Sequence, residues 1–363
     1  MNVAFFVSSL VSAYWNGAAT YYRGIGRAMY ERGHRLTFFE PDAYQRQQHR
    51  DIEDPDWAKV VVYPATEEAV YGAIREAGSA DLIVKASGVG VFDELLEAEL
   101  LELKKPSNLI VFWDVDAPAT LERVLSNQLD PFAPLVRRYD AVLTYGGGCP
   151  VIDAYRSLGA RECIPIYNAL DPATHHPVKP DYYRFSADLA FLGNRLPDRE
   201  ARVEEFFLKP AERLPSMSFL LGGAGWDDKP RSANIKYLNH VYTHDHNAFN
   251  VTPRAVLNIS RDSMARYGFS PATRVFEAAG AGACLITDFW EGIDMFLEPG
   301  REALVARSGD EVVESIESLS IDKARKIGQA AYKRVLSEHT YAHRAAQIDA
   351  VLDTTPVSME VTL

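Results

Sequence analysis

Apolar runs of strand length alternate with amphipathic stretches of helix length along almost the whole chain, and a proline-rich segment near the middle breaks the alternation once. Two parallel strands can be joined only by a long crossover, usually a helix. Such a pattern therefore predicts parallel sheets covered by helices on both sides. In the first half, strands are expected at 2–9, 36–40, 60–63, 82–87, 109–113 and 141–145. Helices are expected between them at about 20–31, 67–76, 92–103 and 150–158. The run Ile164-Pro165 to Pro180 reads as a linker. A second alternation follows, with strands at 189–192, 219–223, 235–237, 255–259 and 283–287 and closing helices at 321–336 and 341–352. The fold class is thus α/β, with two Rossmann-like domains whose parallel sheets face a central cleft; ligands bind at the carboxyl ends of such sheets. The expected divisions are 1–170, 171–340, a final helix at 341–353 and a loose tail at 354–363.

With 363 residues the chain is long enough for two domains. Its formal net charge of −12 argues against unaided binding to nucleic acid or to an anionic membrane. No stretch is long and apolar enough to span a bilayer, and the apolar start lacks the basic segment of a signal peptide. Three cysteines without metal-ligand spacing point to a reduced, cytoplasmic protein. Gly24 and Gly26 fall inside the first helix, with no third glycine at the spacing of a dinucleotide fingerprint.

The segment 268–288 carries the strongest functional signal. Ser270 can cap a helix and Pro271 suits its first position; Val275, Ala278, Ala279 and Gly282 make a packing face. The start of that helix offers free amides and a positive dipole end at Ala272, Thr273 and Arg274, which suits a phosphate. Glu277 lies one turn further in, among small and apolar residues, where a carboxylate needs a partner such as the hydroxyls of a ribose.

The run Ser270-Pro271-Ala272-Thr273-Arg274-Val275-Phe276-Glu277-Ala278 is followed by Leu285-Ile286-Thr287-Asp288. Glu291-Gly292-Ile293 and Phe296, with Pro299-Gly300, come next. In content and order this resembles the donor segment of GT-B glycosyltransferases, most closely the bacterial spore-maturation-protein-like (CgeB-like) branch, with a donor domain like that of glycosyltransferase family 4. The resemblance implies transfer of a sugar from a nucleoside diphosphate sugar (UDP-, TDP- or GDP-linked) to a small-molecule, glycan or protein acceptor, by a hexosyl- or deoxyhexosyltransferase. No metal or other cofactor is implied. The first domain would bind acceptor and the second donor, and the last helix would cross back to the first domain.

On this resemblance Ser270, Ala272, Thr273 and Arg274 would hold the diphosphate and Glu277 the ribose. The turn Gly193-Asn194-Arg195 would add close backbone approach and charge, with Arg199 nearby. Gly223 and Tyr242 would lie near the base, although Tyr242 read by itself is a core aromatic. Asn16 and Gly17 stand in a loop expected to face the acceptor, or else form a plain surface connection. Asp114 and Asp116, at the end of an apolar strand, are the catalytic candidates. Asp116 is favoured as acceptor base, against a helix-capping role; the same Asp-x-Asp is a metal motif in the other large glycosyltransferase fold, GT-A.

One departure stands out. Many retaining GT-B enzymes carry Glu-x7-Glu, and the first position here is Phe269. Asp262, Arg266 or Ser270 would have to serve instead, or the stereochemistry differs. His240, His244 and His246 with Asp245 do not fit a standard metal site, and His175-His176 in the linker read as solvated. The acidic run 93–102 reads as one polar helix face. The rival readings are a non-hydrolysing nucleotide-sugar epimerase, a two-lobed sugar-binding protein and a non-catalytic nucleotide- or sugar-binding glycosyltransferase-like subunit.

Overall fold

The computed structural model describes residues 1–14, 16–127 and 129–354. The chain forms two compact units. The first is Met1–Tyr167 together with the chain from Tyr341 onward, and the second is Asn168–Thr340. The tail expected beyond Thr354 and the loop residue Trp15 lie outside the described residues.

In the first unit the described strands are β1 (Asn2–Phe6), β2 (Arg35–Asp42), β3 (Ala58–Pro64), β4 (Leu82–Ala86), β5 (Leu109–Asp114), β6 (Ala141–Thr144) and β7 (Cys163–Pro165). They form one parallel sheet in the order β3-β2-β1-β4-β5-β6-β7. Helices α1 (Ala19–Glu31), α2 (Glu67–Ala77), α3 (Asp93–Glu99), α4 (Ala117–Ser126) and α5 (Gly148–Ser157) make the crossovers. The register places Phe5 beside Phe38 and Phe6 beside Phe39, and each pair stacks with ring centroids 4.8 Å apart. Strand β7 was not expected: its last two residues, Ile164 and Pro165, read as linker. A proline is tolerated there because β7 is an edge strand.

The run 93–102 is not simply a polar helix face. Lys85 is fully buried on β4, its ammonium 2.6 Å from Asp93 and 3.9 Å from Glu97. Two of the carboxylates therefore turn inward to a buried cation. Burial pushes the Glu97 carboxyl up to about 7, against the pull of Lys85 and Arg123.

In the second unit the described strands are β8 (Leu189–Leu192), β9 (Phe219–Gly222), β10 (Ile235–Leu238), β11 (Ala255–Asn258), β12 (Leu285–Asp288) and β13 (Leu304–Ala306). They too are all parallel, in the order β10-β9-β8-β11-β12-β13. Their helices are α6 (Tyr182–Phe185), α7 (Pro197–Val203), α8 (Lys209–Arg213), α9 (His246–Val251), α10 (Asp262–Tyr267), α11 (Thr273–Gly280), α12 (Gly309–Ser318) and α13 (Ile321–Glu338). Strand β13, three residues long at the sheet edge, was also missed from sequence. Phe191, Phe207, Phe219, Leu221, Leu257, Ile286 and Ile316 anchor the core. The strand order reverses between β8 and β11, and that switch point is where an open parallel sheet leaves a crevice.

The last helix, α14 (Tyr341–Thr354), belongs to the first unit. It lies on α1, where Gly24 leaves room for the Tyr341 ring; a Cβ there would sit 2.1 Å from it. Arg32 and His34 pair with Asp349 at 2.5 and 2.8 Å. Among the described residues no helix is long and apolar enough to cross a membrane. The three cysteines are unpaired, with Cys149 exposed and Cys163 and Cys284 buried.

In the second unit α13 approaches the backbone at Gly282 so closely that a Cβ on Gly328 would lie 2.2 Å from the Gly282 carbonyl oxygen. Alanine would gain about 1 kcal/mol of helix propensity, but a clash with backbone costs about 1–3 kcal/mol. Gly328→Ala should therefore lower the urea midpoint; an unchanged or raised midpoint would show that α13 can move away freely.

Candidate functional site

At the β8/β11 switch point, Arg274 of α11 reaches the end of β8. Helix α11 is amphipathic, burying Val275, Phe276, Ala278 and Ala279. It begins at Thr273, two residues later than expected. Ala272 is the N-cap, and no side chain caps the helix. Ser270 does not cap: its hydroxyl donates to the Gly268 carbonyl at 2.9 Å. The first-turn amides thus have no side-chain acceptor, and the dipole leaves positive potential there.

Glu277 faces inward with only 13% of its side chain exposed. Arg274 Nη1 lies 3.4 Å from its carboxylate and donates to Asn250 Oδ1 at 3.2 Å, while Nη2 donates to the β8 carbonyl of Leu192 at 3.5 Å. Burial alone pushes the Glu277 carboxyl up. Arg274, His175, His246 and a hydrogen bond from Thr273 more than offset it, holding the group at about 2. The carboxylate is therefore ionised and acceptor-only.

Two histidines complete this cluster, and sequence reasoning missed the constellation. His175, read as solvated linker, is 3% exposed. His246 comes from the segment where a metal reading was set aside, but its neighbours there point elsewhere. Asp245 pairs with Arg184 at 2.5 Å, and the His244 side chain is 76% exposed. Burial lowers the basicity of both inward histidines, that of His246 to about 4. No local spacing joins residues 175, 246 and 277; only packing of the linker, α9 and α11 does.

The turn after β8 is closely packed against the turn after β9. A Cβ on Gly223 would lie 2.3 Å from the Gly193 carbonyl oxygen, and Gly223 has a φ of +116°. Asn194 Oδ1 accepts from the Ala224 amide at 3.0 Å, and Trp226 Nε1 donates to the Gly193 carbonyl at 2.8 Å. Gly193, Asn194 and Gly223 therefore stitch two loops together. Arg195 is held by Glu200 at 2.7 Å and Asp228 at 2.8 Å, so its charge is already neutralised. The guanidinium aimed at this place is Arg199. Its Nη1 would lie 2.8 Å from a Cβ on Gly193; burial lowers its basicity, and the charges of Asp198, Arg261, Arg274 and Asp288 all act on it. Arg199 and Arg274 each hold a buried Nε without a partner among the described residues. Tyr242 is no core aromatic: it is 61% exposed, edge-on to His240 and stacked on His244.

Phe269 adopts a φ of +47°, uncommon for a bulky residue, and its amide donates to the Glu291 carbonyl at 2.5 Å. Gly292 lies under its ring; a Cβ there would be 2.3 Å from it. Of the substitutes considered for the missing glutamate, Asp262 and Arg266 pair with each other at 3.1 Å and Ser270 is buried.

In the first unit Asp114 is enclosed by hydrogen-bond donors. It is fully buried, with hydrogen bonds from Tyr155 (2.5 Å), Ser87 (2.7 Å), Thr120 (3.0 Å) and the Asp116 amide (3.0 Å). Burial pushes its carboxyl up. Both oxygens of Asp114 are thus engaged within the first unit. Asp116 sits at the N-cap of α4, half-buried, and its side chain does not cap. Asn16 is buried and occupied: it accepts from Ser8 at 2.9 Å and donates to the Ser9 and Ser12 carbonyls at 2.9 and 3.0 Å. Gly17 is exposed.

Residues 199–350 match a family model described as glycosyl transferase-like. Among solved structures, sucrose-phosphate synthase from Thermosynechococcus elongatus is similar with a TM-score of 0.72 at 13% identity, covering 97% of this chain and 98% of that one. Anabaena HepE in complex with UDP-glucose is similar with a TM-score of 0.68 at 14% identity, covering 98% and 100%. An alpha-glucosyltransferase in complex with UDP-glucose and DNA containing an abasic site gives 0.70 at 13% identity, covering 97% and 99%. At such identities the likeness shows the fold, which is that of the GT-B glycosyltransferases. No curated protein matches the chain in sequence.

Two outcomes follow for the buried carboxylates. Asp114→Asn would bring amide hydrogens toward hydroxyl donors and should cost about 1–3 kcal/mol in urea unfolding; a loss below a few tenths would deny Asp114 its role as a hub. Glu277 has a depressed folded pKa, so its stabilisation is present above about pH 4.5 and is lost as pH falls toward about 2. Glu277→Gln should flatten that part of the acid-unfolding curve followed by circular dichroism, and an acid limb that overlays the parent would contradict the ion cluster.

Proposed function

We propose that this chain is a glycosyltransferase of the spore-maturation-protein-like branch, moving a hexosyl or deoxyhexosyl group from a UDP-sugar to an acceptor. The observation that carries the reading is the ionised, inward-facing Glu277 beside Arg274 at the uncapped start of α11. It lies at the switch point of a parallel sheet, where such folds hold ligands. The carboxylate accepts two hydroxyl hydrogens, as a ribose presents them. The helix start, Arg274 and Arg199 together neutralise a diphosphate through amides and guanidinium groups, so leaving-group charge is stabilised without a divalent ion.

UDP is chosen as the carrier because HepE and the alpha-glucosyltransferase are both described in complex with UDP-glucose. In the transfer, the bond between the anomeric carbon and the diphosphate breaks and UDP leaves with the electron pair. The acceptor hydroxyl oxygen bonds the anomeric carbon and gives its proton to a base. Asp116 is the proposed base or acceptor-orienting group in the first unit; Asp114 is not. The net charge of −12 disfavours a polyanionic acceptor, so a neutral small molecule, glycan or protein is proposed rather than nucleic acid.

The test is thermal stabilisation of the full chain by UDP, compared with TDP, GDP, ADP and CDP, all in EDTA. UDP should raise the melting temperature, and Glu277→Gln should weaken UDP about 10- to 100-fold, as expected for losing hydrogen bonds to a charged group. Arg199→Gln should weaken UDP but leave uridine unchanged. No stabilisation by any diphosphate would overturn the donor site.

A further inference from the structure

We infer that His175, His246 and Glu277 form a binding site for a borderline divalent transition metal, such as Zn²⁺ or Co²⁺. One ligand atom from each of the three lies within 4.8 Å of the other two. Tetrahedral coordination at about 2.0–2.1 Å needs separations of about 3.3 Å, so the ligand atoms close by up to about 1.5 Å on an ion. Two imidazoles and one carboxylate, with a fourth position open, suit Zn²⁺ or Co²⁺ better than Mg²⁺ or Ca²⁺.

The lone pairs needed are in place. His175 Nε2 is buried and has no partner among the described residues, and His175 as a whole is only 3% exposed. His246 Nε2 is 3.2 Å from the Val241 carbonyl, which accepts its hydrogen and leaves the lone pair on Nδ1; that Nδ1 is also buried and unpartnered. A ring N–H given to a backbone carbonyl is how metal-bound histidines are oriented. Gly280 on α11 lets the linker approach closely: a Cβ there would lie 3.1 Å from the His175 carbonyl oxygen. His175 is thereby held against the helix that carries Glu277. Arg274, 3.4 Å from Glu277, opposes a second cation, so the metal is exchangeable rather than permanent.

The consequence rests on the donor reading above. Glu277 cannot hold both the metal and the ribose, so the metal and UDP compete, and the metal inhibits.

The experiment uses the full chain, stripped with EDTA and dialysed, titrated with CoCl₂ while visible absorption is recorded. One equivalent of Co²⁺ should bind with a ligand-field band. His175→Ala and His246→Gln, each checked for fold by circular dichroism, should weaken binding at least about tenfold. The surface double variant His240→Ala/His244→Ala should keep the band. Failure of the parent chain to bind, or equal binding in both inward variants, overturns the site. His246 is the more exposed of the two, so its variant decides the matter if His175→Ala does not fold. UDP added to the cobalt form should raise the apparent cobalt Kd. Cobalt bound as expected in a chain that never binds UDP would uphold the metal site and refute the donor reading. UDP bound without displacing cobalt would refute the competition.

Discussion

The charge on Glu277 is the constraint around which the second unit is arranged. A carboxylate removed from water is strongly destabilised unless opposite charge and hydrogen bonds replace the solvent. Arg274 on the same helix supplies the charge, and Thr273 supplies a hydrogen bond. Arg274 is in turn fixed by Asn250 on α9 and by the last carbonyl of β8. One ionised group thus ties α11, α9 and the β8/β11 switch point into one arrangement.

Glycine does the complementary work beside it. The turns after β8 and β9 come together because neither Gly193 nor Gly223 has a side chain to separate them, and Asn194 and Trp226 then lock the contact. Arg195 in that turn and Arg199 on α7 are sorted by their neighbours. Arg195 meets Glu200 and Asp228 and becomes a structural cross-link, whereas Arg199 is left with an unsatisfied guanidinium edge. Residue type is the same for both, and the element that carries each sets its neighbours.

The first unit shows the same sorting among carboxylates. Asp114 and Asp116 are two residues apart at the end of β5. The strand buries the first beneath Tyr155, Ser87 and Thr120 and leaves the second at the start of α4. Asp93 and Glu97 turn toward Lys85, which a polar-face pattern cannot reveal because the cation sits on a different element.

The α/β class, the two Rossmann-like halves, most of the strands and the α11 segment with Arg274 and Glu277 were legible in the residues alone. These are written in local periodicity, turn residues and a run of contiguous motif. The sequence alone did not determine the edge strands β7 and β13, whose three-residue lengths are stabilised by neighbouring strands rather than by their own pattern. It also did not determine the start of α11, the burial of His175 or the meeting of His175, His246 and Glu277. Those depend on residues far apart in the chain being packed together, and on which polar atoms that packing leaves without a partner. Only the tertiary structure decides such things, because burial and pairing are properties of the surroundings and not of the residue.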